Sequence, residues 1–265
     1  MKPISVQDLT SRKKEKKKIV ALTAYDFPTA KLLDEAGIDI VLVGDSLGMV
    51  SLGYENTLSV TMEDMIHHLK AVSRAVKHAF VAVDMPYRSY EDEKSALENA
   101  KWLIDLGAKA VKLEGGRKIL PQVKMLVENQ IPVIGHLGMT PQSIKELGGY
   151  KVQGKTKDEA ELIRRDAREL EAAGIFSLVL ECVPVSLATN ITKDLRIPTI
   201  GIGAGPDTDG QVLVLHDLLG FPSLVSPRFV RKYANLENSI KEAAERYRED
   251  VLSGKFPSAK ESFEG

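Results

Sequence analysis

Six side chains able to do chemistry stand at or near the ends of apolar runs. Asp45 closes VLVGD, Asp84 closes VAVD, Lys112 and Glu114 lie in VKLE, His136 in VIGH and Glu181 in LVLE. Neighbouring strands lie about 4.8 Å apart, so Asp45 and Asp84 are expected close together. Two ionised carboxylates so placed repel, and one takes up a proton unless a cation intervenes. Mg²⁺ suits such a pair: it wants oxygen ligands and keeps positions for water or substrate. Asp45 and Asp84 are therefore the expected metal ligands, with Glu114 joining through a water. No cysteine or histidine cluster argues for zinc. Lys112 lies two residues before Glu114 and shares its side of the strand. Among acids it is expected as a charged clamp on a carboxylate, the alternative being a Schiff-base nucleophile. His136, in GHLGMTPQ, is a candidate substrate contact, or else a histidine satisfied within the core. A lone strand-end aspartate often only caps the next helix, and Asp26 in ALTAYD is read that way. Capping alone does not select acids on consecutive strands. His67, His68, His78 and His216 have no comparable setting and are read as structural.

The elements that must position these groups follow one grammar. LLDEAGIDIVLVGD, LIDLGAKAVKLEG and LEAAGIFSLVLEC each give a helix end, a glycine, an apolar strand and an acid. Gly37, Gly107 and Gly174 suit the left-handed position past a helix end. Nearly continuous apolar strands suit a parallel sheet covered on both faces. Strands are expected near 19–26, 38–45, 79–84, 109–114, 131–136, 177–182, 197–202 and 223–227. Helical spacing runs through 62–77 and 158–173, the latter opened by a Thr156–Glu159 capping box. Eight such units, with nothing marking a domain boundary, predict a single α/β domain over 1–265, a (β/α)8 TIM barrel. Residues 5–17 are expected as an extra N-terminal helix covering the barrel bottom. The connections 46–60 and 137–157 are long enough to be functional and would lie on the catalytic face. GIGAGPDTDG at 201–210 fails the dinucleotide fingerprint, because Pro206 stands where the third glycine belongs; it is read as a tight turn at the barrel rim.

The chain has 265 residues, 43% hydrophobic and 28% charged, with a formal net charge of -1. That balance gives no bulk electrostatic case for nucleic acid. The run RKKEKKK from Arg12 to Lys18 is read as a solvated helix face. The single cysteine, Cys182, excludes an intrachain disulfide and points to a reducing compartment. No apolar stretch is long enough to span a bilayer, and no signal-peptide pattern is present. A cytoplasmic location is the expectation.

VGDSLGM, DMPY, VKLEGG, GHLGMTPQS, GGYKVQGK, LECVP and IGIGAG…TDGQ occur in order. Together they resemble the ketopantoate hydroxymethyltransferase family of pantothenate biosynthesis, from Ile19 to about Gly254. The resemblance implies transfer of a one-carbon unit from 5,10-methylenetetrahydrofolate to 3-methyl-2-oxobutanoate, giving 2-dehydropantoate and tetrahydrofolate through a Mg²⁺-stabilised enolate. It implies Asp45 and Asp84 on the metal with Glu114 in support. It places Asp45, Ser46, Asp84, Lys112 and His136 at the substrate, with Ser46 and Lys112 on its carboxylate, and makes Glu181 the base at C3. It also implies a homodecamer. The alternatives are a Mg²⁺-dependent 2-oxo-acid lyase of the isocitrate lyase and phosphoenolpyruvate mutase type, a class I aldolase using Lys112, and a non-catalytic barrel. The lysine–cysteine–glycine–histidine motif usual in those lyases is absent from the sequence.

Overall fold

The computed structural model describes residues 2–222 and 227–263. They fall into two compact units, Met1–Val214 and Leu215–Gly265. The first is a closed barrel of eight parallel strands in sequence order. These are β1 (Ile19–Thr23), β2 (Ile40–Val43), β3 (Phe80–Asp84), β4 (Ala110–Glu114), β5 (Val133–Gly138), β6 (Ser177–Glu181), β7 (Thr199–Ile202) and β8 (Gly210–Leu213). The second unit contains the helices Leu215–Leu219 and Leu236–Leu252.

Alternation along each strand sorts the core into two layers. Ile19, Ala21, Ile40, Leu42, Phe80, Ala82, Ala110, Ile134, Val179, Ile200 and Val212 pack inside the barrel. Val41, Val43, Val81, Val83, Val111, Leu113, Val133, Leu178 and Leu180 join the layer shared with the helices. The inward set is apolar from the bottom to mid-height and polar above it. Asp84 continues the inward series of Phe80 and Ala82, and Lys112 that of Ala110.

The helix Val6–Glu15 carries the expected cover. Its Leu9 is fully buried with the barrel-interior cluster. Leu9→Ala is expected to lower unfolding free energy by about 2–5 kcal/mol, measured by urea unfolding; an unchanged midpoint would show that the helix does not close the barrel. The helix also corrects the solvated-face reading of RKKEKKK. Arg12 reaches Asp39 at 2.6 Å, and Lys13 reaches Asp209 and the Thr192 carbonyl at 2.7 Å. Lys18 donates to the carbonyls of Pro206 and Thr208. Arg12 and Lys13 tie the helix to the barrel, and Lys18 ties the chain entering β1 to the β7–β8 crossover; Lys14, Lys16 and Lys17 remain exposed.

Helix signals hold closely. Met62–Ala75 and Lys157–Ala173 both open with capping boxes, on Thr61 and Asp64 and on Thr156 and Glu159. Asp26 caps Phe27–Glu35 by accepting from the Thr29 N–H. Gly37, Gly107 and Gly174 have φ of 78°, 107° and 103°.

The eighth strand is Gly210–Leu213, which pairs with β7 and β1 and completes the barrel. It is not the 223–227 segment, of which 223–226 lie outside the described residues. The rim-turn reading of GIGAGPDTDG changes with it, since residues 203–209 make the whole crossover from β7 to β8 without a helix. Parallel strands normally need a dozen or more residues for this. The short route is possible because the segment lies flat on the sheet: a Cβ on Gly201 would stand 2.6 Å from Thr208 Oγ1.

Candidate active site

Strand register brings the polar groups to one end of the barrel. Asp84 pairs with Lys112, Glu114 with His136, and Glu181 with Gly138. Asp45 follows β2, and its N–H donates to Asp84 Oδ2 at 3.0 Å. Lys112 Nζ lies 2.8 Å from Asp84 Oδ1 and 3.8 Å from Glu114 Oε1. It also approaches His136 Nδ1 at 3.4 Å. His136 Nε2 then faces Glu181 Oε2 at 3.2 Å. All of these are buried except Glu181, whose side chain keeps 12% of its exposure against 3% for Glu114. Ser46 is half-buried, with its Oγ 2.9 Å from the Tyr25 hydroxyl.

Burial first, then the neighbouring Asp84 and Glu114, hold the Asp45 carboxyl far above its ordinary range. Burial also raises Glu181, against the opposing hydrogen bond from His136. Burial alone would lower the Lys112 pKa, but Asp84, Glu114 and Asp45 outweigh it and raise it. Lys112 is therefore held as an ammonium, not the free amine a Schiff base requires. Burial lowers His136, with Lys112 adding to the effect, so the imidazole is neutral. A neutral ring has one N–H; Nδ1 lies 3.3 Å from Glu114 Oε1 and 3.4 Å from Lys112 Nζ, and Nε2 is the ring nitrogen turned to the Glu181 side.

Glu114 gives a pH test. Its carboxyl is pushed up to about 7, chiefly by burial, from an ordinary 4.5. The folded chain thus holds this proton more tightly than the unfolded chain. The stability it contributes is complete below pH 4.5 and is lost as pH rises through about 7. The stability of the wild type relative to Glu114→Gln, from urea unfolding in metal-free buffer, is expected to fall across that window. A flat difference would contradict the assignment.

The chain offers a divalent cation a partial site. Among the described residues no three His, Cys, Asp or Glu side chains form a ready metal cluster. Two carboxylates suffice for Mg²⁺, which takes its other ligands from water and substrate. Asp45 and Asp84 are both present, and the proton that burial and the repulsion of Asp84 and Glu114 favour on Asp45 is one that a cation would displace. Gly44 leaves room beside them, since a Cβ there would lie 3.0 Å from Ser46 Oγ and 3.5 Å from Asp84 Oδ2. Glu114 Oε2 accepts from the Gln142 N–H at 2.9 Å, and Oε1 faces His136 and Lys112. Its place fits support through water. The residues therefore fit the metal.

Glu181 is held by its backbone. Its carbonyl accepts from the Met139 N–H, and the next N–H, of Cys182, donates to the Ile202 carbonyl. Cys182 sits at φ 48°, a left-handed value uncommon outside glycine. Gly138 is essential to this corner: φ is 99°, and a Cβ would fall 2.1 Å from the Glu181 carbonyl oxygen. Gly138→Ala is expected to lower the melting temperature and displace Glu181; an unaltered melting temperature would contradict the close approach.

Three side chains in this network escaped the sequence reading: Tyr25 on Ser46, and Tyr90 and Gln142 beside Glu114 and Asp45. Gln142 lies inside GHLGMTPQS, yet a loop glutamine carries no spacing signal. The long connections after β2 and β5 meet where the Tyr150 hydroxyl approaches Met49 Sδ at 3.5 Å.

The family model described as ketopantoate hydroxymethyltransferase matches residues 3–259. A 3-methyl-2-oxobutanoate hydroxymethyltransferase of Thermoanaerobacter sp. (strain X514) is 57% identical over 98% of this chain and 96% of its own. The enzyme of the same name from Acetivibrio thermocellus is 56% identical over 95% and 89%. Among solved structures, phosphonopyruvate hydrolase in complex with oxalate and Mg²⁺ superposes with a TM-score of 0.65 at 13% identity, over 97% of this chain and 93% of that one. 2,3-Dimethylmalate lyase, of the PEP mutase/isocitrate lyase superfamily, gives 0.62 at 15% identity, over 98% and 92%. At such identities the two structures show the shared barrel fold.

Proposed function

The chain belongs to the ketopantoate hydroxymethyltransferase family, and we propose that its barrel mouth moves the one-carbon unit of 5,10-methylenetetrahydrofolate to C3 of 3-methyl-2-oxobutanoate. The products are 2-dehydropantoate and tetrahydrofolate, and one water completes the balance. The observation that carries this reading is the pairing of a carboxylate cluster, Asp45 with Asp84, with a separate and more open carboxylate, Glu181. A 2-oxo acid needs both: a cationic hold on adjacent carboxylate and keto oxygens, and a base at the neighbouring carbon.

Asp45 and Asp84 would hold Mg²⁺, with Glu114 supporting through water; when bound, the metal supplies Lewis-acid withdrawal of charge from the substrate carbonyl. Ser46 and Lys112 bind the substrate carboxylate, the one by hydroxyl and the other by ammonium. Glu181 takes the C3 proton. Its raised pKa makes it a stronger base than an exposed glutamate, and His136, 3.2 Å away, packs against its carboxylate. The resulting enolate carbon forms its new bond to the methylene carbon of the folate, beside His136; the two methylene–nitrogen bonds break, water supplies the product hydroxyl, and the proton taken from C3 and one from water end on the nitrogens of tetrahydrofolate. Assembly as a homodecamer and a cytoplasmic location belong to the same proposal.

The test is proton NMR of 3-methyl-2-oxobutanoate and methylenetetrahydrofolate with the protein, in Mg²⁺ and then in EDTA. Loss of the C3 methine and growth of a hydroxymethyl signal only with metal is the expected result. An unchanged spectrum with folded protein and Mg²⁺ would overturn the reading and favour the lyase chemistry found on related barrels.

A further inference from the structure

Gln142 lies in the turn Pro141–Ser143 after β5 and is 7% exposed. Its main-chain N–H donates to Glu114 Oε2 at 2.9 Å. Its side-chain Nε2 donates to Asp45 Oδ2 at 2.8 Å and to the Met85 carbonyl at 2.9 Å. Its Oε1 accepts from the Tyr90 hydroxyl at 2.5 Å. One residue of the β5 connection thus grips acids presented by β2 and β4 and the chain leaving β3. Every polar atom of its amide group is used, and in only one orientation. A flipped amide would set its carbonyl against the Asp45 carboxylate and the Met85 carbonyl.

Tyr90 decides that orientation. Its oxygen accepts from the Glu114 N–H at 3.3 Å, and of the two acceptors within reach of its single proton Gln142 Oε1 at 2.5 Å is much nearer than the Glu114 carbonyl at 3.3 Å. Burial keeps the phenol protonated. Gln122 Nε2 anchors the turn beneath it through the carbonyls of Tyr90 and Glu91, both at 3.2 Å.

We propose that Gln142 is a positioning residue for the cation site, orienting the Asp45 and Glu114 carboxylates, and that Tyr90 acts through it by fixing the sense of its amide. The inference rests on the reading of Asp45 and Asp84 as metal ligands. With Oδ2 of Asp45 engaged by the amide, the other oxygen is left for a cation. Groups that orient metal ligands typically matter by about 10- to 100-fold in affinity.

The experiment is a Mn²⁺ titration of the full chain, with free Mn²⁺ read by electron paramagnetic resonance, so that turnover is not needed. Gln142→Met keeps length and removes all three side-chain hydrogen bonds; it is expected to weaken Mn²⁺ binding by about 10- to 100-fold. Tyr90→Phe, which keeps the ring, is expected to weaken it less. The double variant should resemble Gln142→Met alone, because Tyr90 works through that amide. Circular dichroism establishes folding for each. If Gln142→Met does not fold, Tyr90→Phe carries the test by its own loss of affinity. Wild-type affinity in a folded Gln142→Met, or in Tyr90→Phe, overturns the proposal, and full additivity in the double variant removes Tyr90 from it. A wild type that binds no Mn²⁺ overturns instead the metal reading on which it rests.

Discussion

Glu181→Gln is expected to lower kcat by about 10²- to 10⁴-fold, the range a positioned proton-transfer group contributes, while leaving Mn²⁺ affinity as in the wild type. The reason is separation of roles. Glu181 comes from β6, whereas Asp45 and Asp84 come from β2 and β3. Its carboxylate faces His136 at 3.2 Å, a neutral ring that a glutamine amide can face equally well. The substitution therefore removes a base without opening a cavity or stranding a charge, and the melting temperature should hold. The wild-type kcat/KM is expected to fall on the acid side as Glu181 takes up its proton, at a pH above that of an ordinary glutamate because burial raises it. Glu181→Gln should lose that limb. Steady-state kinetics across pH check both statements. Undiminished kcat in the variant would remove Glu181 from proton transfer.

Asp84→Asn carries the second large effect. Asp84 accepts from the Asp45 N–H with one oxygen and pairs with the Lys112 ammonium through the other. Removing its charge takes away half of the carboxylate pair that would hold the cation. It also leaves Lys112, 5% exposed, without its nearest carboxylate, Glu114 at 3.8 Å and Asp45 being what remains. Breaking a buried ion pair on one side costs about 3–5 kcal/mol. The expected outcome is loss of turnover that added Mg²⁺ does not restore, loss of Mn²⁺ binding, and a lower melting temperature. A variant that binds Mn²⁺ normally would place the metal elsewhere.

These two expectations depend on features of unequal legibility in the sequence. The strand tips were readable because parallel strands are apolar on both faces, so a carboxylate at the end of such a run stands out. Asp45, Asp84, Glu114, His136 and Glu181 were found in this way, and Lys112 through its two-residue offset from Glu114. Helix starts were readable from local chemistry, as at Thr156 with Glu159. The eighth strand was not. GQVL is four residues long, begins with glycine and follows a crossover without a helix, so it offers neither an apolar run nor a preceding helical period. The apolar segment near 224 had the stronger local signal and drew the assignment. Lys13 and Arg12 looked like surface charge because their partners, Asp209 and Asp39, are remote in sequence. Gln142 was hidden for the same reason: its hydrogen bonds reach residues 28 and 97 positions away.

The central claim is that Glu181 removes the C3 proton of a 2-oxo acid held at Asp45 and Asp84. Proton NMR of 3-methyl-2-oxobutanoate in D₂O, with Mg²⁺, tetrahydrofolate and either wild type or Glu181→Gln, tests it most directly. The methine signal should disappear by exchange with the wild type, persist with Glu181→Gln, and persist with the wild type in EDTA. Exchange by a folded Glu181→Gln at the wild-type rate would contradict the claim.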